Sequence, residues 1–265
     1  MQFAAFRRPP SGAVRLPLVA TAVHNGHEVR ADVAKLLALD EEIRLREEDP
    51  FTDFFATAFE TSVVVFRSRF EVDLNRSRQE AIYDNADEAW NLEVWKNPLP
   101  AVVKDESLRL YDQFFADLET LLDDVVATHG GFVLYDLHSY NHRRQGSDSE
   151  PASPETNPLV NLGTGSLPEA WRGVVNTFLE VIRTHEVAGE SIDARENVKF
   201  RGRQVASWVH ENYGEVACAL AIELKKVWMD EWTGEVDVGK QAALRDALMA
   251  TVEPVTAIWR TCAGL

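Results

Sequence analysis

Cysteine is scarce in this sequence: Cys218 and Cys262 are the only two in 265 residues, without the spacing of a thiolate metal site or a redox pair. A disulfide framework is therefore not expected, and a reducing, cytoplasmic compartment fits. Long apolar runs are missing as well. None approaches the roughly 20 residues that cross a bilayer, so no membrane association is expected. Arg7-Arg8 is followed by Pro9-Pro10-Ser11-Gly12 where a signal peptide would need an apolar stretch. Positive charge is in short supply: 27 Lys and Arg stand against 43 Asp and Glu, a formal net charge of -16. That balance argues against a nucleic-acid partner, because counterion release rewards Lys/Arg surfaces. An anionic ligand would need arginines clustered locally against the protein's own field.

What is present is apolar material in short blocks that alternate with amphipathic ones. Val14 to Val23, Thr61-Ser62-Val63-Val64-Val65-Phe66, Gly131 to Leu137 and Val216 to Ile222 read as strands, and Asn157 to Thr164 as a short strand and turn. Between them the spacing predicts helices over about 32–47, 104–129, 169–185, 204–213 and 238–261. Residues 77–105 and 145–156 read as irregular loops, and 1–12 as a loosely held lead-in. Strands alternating with helices, and no visible repeat period, predict a single α/β domain over 1–265. Its sheet should be mixed, mostly parallel and covered on both faces.

Ligand sites in such sheets lie beyond the carboxyl ends of the strands. Polar residues that follow apolar strands are therefore the candidates: His24 and His27, Arg69 with Asn75 and Arg76, His138, and Glu223. Two neutral imidazoles and a carboxylate around an open position are the ligand set of a catalytic zinc. A second carboxylate can move the water proton, a guanidinium can stabilise an oxyanion, and an Arg/Asn pair can fix a substrate carboxylate. Together these parts describe hydrolysis of an amide next to a carboxylate. Glu47-Glu48-Asp49-Pro50 is unusual for another reason. Three acids end a helix against its dipole, which a solvated turn, a cation or a metal could explain.

The blocks His24-Asn25-Gly26-His27, Arg46 to Thr52, Ser68 to Arg76 and Asp136 to Arg144 resemble the N-formylglutamate amidohydrolase family. Asn161 to Thr164 and Glu223-Leu224-Lys225-Lys226 extend the resemblance over residues 20–235. The site order is similar to that of the wider zinc carboxypeptidase and aspartoacylase superfamily. The resemblance implies a three-layer α/β/α, phosphorylase/hydrolase-like fold, one Zn2+ ion, and hydrolysis of a small anionic N-formyl or N-acyl amino acid. By motif, it implies His24 and His138 as zinc ligands, Glu223 as general base and acid, Arg69 on the scissile carbonyl, and Asn75 with Arg76 on the α-carboxylate. The remaining ligand stays open. The superfamily commonly has Glu three residues after the first His, where this chain has His27, and Asp49, or else Glu48, competes for the role. Tyr140 and Arg144 are further candidates for holding the substrate. A carboxypeptidase or aspartoacylase-like deacylase is the alternative enzyme, and a metal-binding or ligand-binding protein without turnover is the alternative of another class.

Overall fold

Strands that are apolar on both sides need cover on both sides, and the chain supplies it by placing helices between them. The computed structural model describes residues 2–9 and 15–265. In chain order the strands are β1 (Ala4–Arg7), β2 (Leu18–Ala22), β3 (Thr61–Val65), β4 (Phe132–Tyr140), β5 (Val160–Gly163), β6 (Glu186–Val187), β7 (Glu190–Ser191), β8 (Ala194–Glu196) and β9 (Ala217–Lys225). The helices are α1 (Ala31–Ala34), α2 (Glu41–Glu47), α3 (Thr52–Ala56), α4 (Ala101–His129), α5 (Arg172–Ile182), α6 (Gln204–Tyr213) and α7 (Val238–Ala263).

Seven strands form one sheet in the order β1, β3, β2, β4, β9, β5, β8, and β6 with β7 makes a separate hairpin. β3, β2, β4 and β9 run parallel, while β1 joins β3 and β5 joins β9 antiparallel. The sheet is therefore mixed, as expected. Alternation along the strands divides the interior in two. Val133, Tyr135 and Leu137 of β4 pack with residues of α3, α5 and α7 on one face. Phe132 and Leu134 pack with α4 and α6 on the other. Each large side chain so buried contributes about 1.5–3 kcal/mol. Asp136 and His138 continue the second series, so the face over α4 and α6 carries the polar strand ends.

Three expectations need correction. The lead-in is not loose throughout, because Ala4–Arg7 pairs with Val65 to Ser62 and extends the sheet; residues 1 and 10–14, including Val14, lie outside the described residues. The helix expected over 32–47 is interrupted. Leu37 forms an isolated bridge with Trp95, and Asp40 restarts the helix by accepting a hydrogen bond from the Ile43 amide at 2.8 Å. The third concerns His138 and Glu223, which lie on β4 and β9 rather than after them. The long pairing of those two strands, Phe132 to Tyr140 against Ala217 to Lys225, carries regular hydrogen bonding out to the polar residues.

Candidate metal centre and its cavity

His24 lies two residues beyond β2, in a turn pressed against the segment after β3. Gly26 bridges Ser68 there, and a Cβ at Gly26 would stand 2.1 Å from the backbone carbon of Phe66, so only glycine permits the approach. Asp49 follows α2, and its amide donates to the His24 carbonyl at 3.0 Å. His138 enters from β4. The three meet: His24 Nδ1 is 3.4 Å and His138 Nδ1 3.1 Å from Asp49 Oδ2. The imidazole centroids are 4.9 Å apart. All three residues are buried, and His24, Asp49 and His138 form the one His/Cys/Asp/Glu cluster with metal-holding convergence among the described residues.

The outer nitrogens identify the donor atoms. His24 Nε2 is 2.7 Å from Asp73 Oδ1, and His138 Nε2 is 3.0 Å from Asp136 Oδ2. A carboxylate on Nε2 holds the proton there and leaves the Nδ1 lone pair facing the centre, the arrangement that orients histidine ligands. Asp136 is itself held by Thr21, whose hydroxyl donates to Oδ1 at 2.7 Å from the register position on β2. Burial alone would lower the pKa of His138, but Asp136 and Asp49 outweigh it and raise the pKa well above the usual value. Burial would likewise raise Asp49, yet the two imidazoles bring its pKa far below the carboxylate range. The carboxylates that favour positive charge on His138 would favour a divalent ion in the same place, and such an ion would displace the proton on binding. Two imidazole nitrogens and one carboxylate oxygen, with their supporting acids in place, fit such an ion.

A cavity of about 730 Å³ opens over the cluster. Glu223 lines it, and while its backbone belongs to the sheet its carboxyl makes no hydrogen bond among the described residues. Burial pushes its carboxyl up to about 7, with Asp49 and Asp136 adding to the effect against His138 and His24. Arg69 lines another part, donating to Asp73 Oδ2 at 2.7 Å and to the Tyr83 hydroxyl at 3.0 Å. Its guanidinium lies 4.8 Å from the Trp90 ring centroid. Although burial opposes it, Asp73 holds Arg69 firmly protonated. Arg76 stands 4.6 Å from the Tyr83 ring centroid and donates to the Glu88 carbonyl.

The other expected residues are placed as follows. His27 is not in the cluster; its Nδ1 is 2.6 Å from Glu48 Oε2, and Ser68 donates to the same carboxylate. Neither His27 nor Glu48 is among the converging donors, and each is engaged with the other. Asn75 reaches the cavity wall, but its carboxamide accepts from the Val205 amide at 3.2 Å and sits 3.1 Å from His138 Nε2. The hydroxyl of Tyr140 donates to the Pro158 carbonyl, so its proton is directed away from the cavity. Arg144 lines the cavity while paired with Glu47 at 2.8 Å. Sequence reasoning missed Asp73 as the partner of both His24 and Arg69. Its position among Arg69, Asn75 and Arg76 was the available signal, masked by the ordinary pairing of an acid with nearby arginines.

A mixed sheet between helix layers, with a His-Asp-His centre at its strand ends, defines a hydrolase-like α/β class. A model of the N-formylglutamate amidohydrolase family matches residues 16–229. The chain belongs to the N-formylglutamate amidohydrolase family. It is similar to the crystal structure of N-formylglutamate amidohydrolase from Ralstonia eutropha JMP134, with TM-score 0.77 and 19% identity over 98% of this chain and 100% of that one. It is also similar to a gene product from Agrobacterium tumefaciens, with TM-score 0.70 and 14% identity over 97% of this chain and 96% of that one. A search of the curated proteins found no match. Among the described residues, no helix is long and apolar enough to cross a membrane.

Proposed function

We propose that this protein is a zinc-dependent amidohydrolase that cleaves N-formyl-L-glutamate, or a close N-acyl amino acid, to formate and the free amino acid. The observation that carries the reading is the convergence of His24 Nδ1, Asp49 Oδ2 and His138 Nδ1 beneath a cavity also lined by Glu223 and Arg69. His24, Asp49 and His138 would hold the ion. When bound, it supplies a Lewis acid for the acyl carbonyl and makes water acidic enough to ionise near neutral pH.

The remaining steps belong to the chain's own groups. Glu223 accepts the proton of the attacking water, and a carboxyl tuned near neutrality can also return it to the departing amine nitrogen. Arg69, held by Asp73 and Tyr83, stabilises the negative charge that develops on the acyl oxygen. Arg76 binds the α-carboxylate. Asn75 supports this end of the cavity by joining the α6 terminus to the His138 neighbourhood. Arg144 faces a second carboxylate from beside Glu47.

A panel of formyl, acetyl and peptidyl substrates with the zinc-loaded protein tests this. Formate release fastest from N-formylglutamate supports it. Preference for peptides or acetylated amino acids would move the assignment to the carboxypeptidase or deacylase alternative. Stoichiometric zinc without hydrolysis of any panel member would leave a binding protein.

A further inference from the structure

The acidic end of α2 poses two physical problems. Glu47, Glu48 and Asp49 lie against the negative end of the helix dipole, and the last carbonyls of a helix lack intrahelical partners. The charges of the first two acids are met locally. Glu47 pairs with Arg144 at 2.8 Å and Arg46 at 3.3 Å, and Glu48 with His27 at 2.6 Å and Arg44 at 3.7 Å.

The carbonyls are met from across the sheet. Lys226 Nζ donates to the Arg46 and Glu48 carbonyls, both at 2.7 Å. Asn141 Nδ2 donates to the Arg46 carbonyl at 2.8 Å. Lys226 is 1% exposed and Asn141 3%, so neither bond competes with bulk water. The second of these carbonyls belongs to the peptide that leads directly into Asp49.

The source of these two side chains matters. β4 and β9 pair through His138 with Glu223 and through Tyr140 with Lys225. Asn141 and Lys226 are the next residues, and the Lys226 amide still donates to the Tyr140 carbonyl at 3.1 Å. The strand pair that delivers His138 and Glu223 thus delivers, three residues later on each strand, the groups that grip the segment carrying Asp49.

We propose that Lys226 and Asn141 are positioning residues for Asp49, clamping the end of α2 so that Asp49 Oδ2 lies between His24 and His138. Affinity for the divalent ion then depends on two side chains outside the donor set. This rests on the metal centre of the proposed function.

The test is zinc affinity, measured by competition with a chromophoric chelator, for wild type, Lys226→Met, Asn141→Ala, Asp49→Ala and the double variants with Asp49→Ala. Unfolding of each metal-free protein is recorded alongside. Removing a group that orients a ligand costs about 10–100-fold in metal affinity. Lys226→Met should raise the zinc Kd by about that factor, and Asn141→Ala by less, because Lys226 still holds both carbonyls. In the Asp49→Ala background both effects should vanish, since a group acting through Asp49 has nothing left to position. Reduced unfolding temperature with unchanged zinc Kd would make the clamp a helix cap alone and overturn the proposal. So would an equal loss of affinity without Asp49. Should Lys226→Met fail to fold, the Asn141→Ala cycle decides by the same two criteria. A wild type that binds no zinc sinks the metal reading and the clamp together; a zinc-binding wild type with equally tight variants sinks the clamp alone.

Discussion

His138 and Glu223 are register partners on adjacent parallel strands, so an imidazole and a carboxyl leave the sheet side by side at the same level. The pairing continues for nine residues without interruption from Phe132 and Ala217, and their separation is therefore set by the sheet rather than by loops. Both pKa values are raised, but for different reasons: His138 by Asp136 and Asp49 against its own burial, and Glu223 by burial against the opposing effect of His138 beside it.

Glu223→Gln keeps the shape of the side chain and removes its capacity to take a proton. Turnover should fall by about 10²–10⁴-fold, while metal analysis still finds one zinc per chain, because Glu223 is outside the converging donors. Near-native turnover on responsive substrates would remove Glu223 from the base role.

The raised pKa of Glu223 also has a consequence for stability in the metal-free protein. An unfolded Glu ionises near roughly 4.3, whereas the native group ionises at about 7. Between those values the unfolded chain releases its proton first, so native stability falls as pH rises and levels off above the native pKa. The stability gained by Glu223→Gln should accordingly grow across this window and then plateau. Urea unfolding of both metal-free proteins from pH 4 to 8 checks it; a pH-independent difference would contradict the assignment.

His27→Ala and Asp49→Ala separate the two candidates for the third donor. His27 touches Glu48 rather than the cluster, so its loss should leave zinc affinity within a few fold of wild type. Loss of Asp49 removes a converging oxygen and should weaken zinc by more than the roughly 10–100-fold typical of a supporting residue. Calorimetric titration of zinc into each metal-free variant reads the difference, and the reverse order would favour His27.

Arg69→Met removes the guanidinium that faces the cavity while Asp73 keeps its contacts with His24 and Tyr83. The expected loss is about 10²–10³-fold in kcat, with zinc stoichiometry retained. A change confined to KM would assign Arg69 to substrate binding instead of oxyanion stabilisation.

The central strands were legible because burial on both faces demands unbroken apolar runs, as in Val63-Val64-Val65 and Ala217 to Ile222. The helix α6 was legible to its ends from its periodicity. Local pattern could not foresee β1, since Ala4–Arg7 is a strand only because β3 offers it an edge. It also overlooked the break between α1 and α2, which depends on the contact of Leu37 with Trp95, 58 positions along the chain.

The sequence alone determined the residue types of the site and the strands that present them: His24, Arg69, His138 and Glu223 each stand at or just beyond an apolar strand, and their motifs carried the family resemblance. Only the tertiary structure brought Asp49, and not His27, beside His24 and His138, joined Asp73 to His24 and Arg69, and turned Tyr140 toward Pro158. The physical reason is that a ligand or hydrogen-bond partner is chosen by distance and lone-pair direction, and those arise when chain segments dozens of residues apart are packed into one buried place.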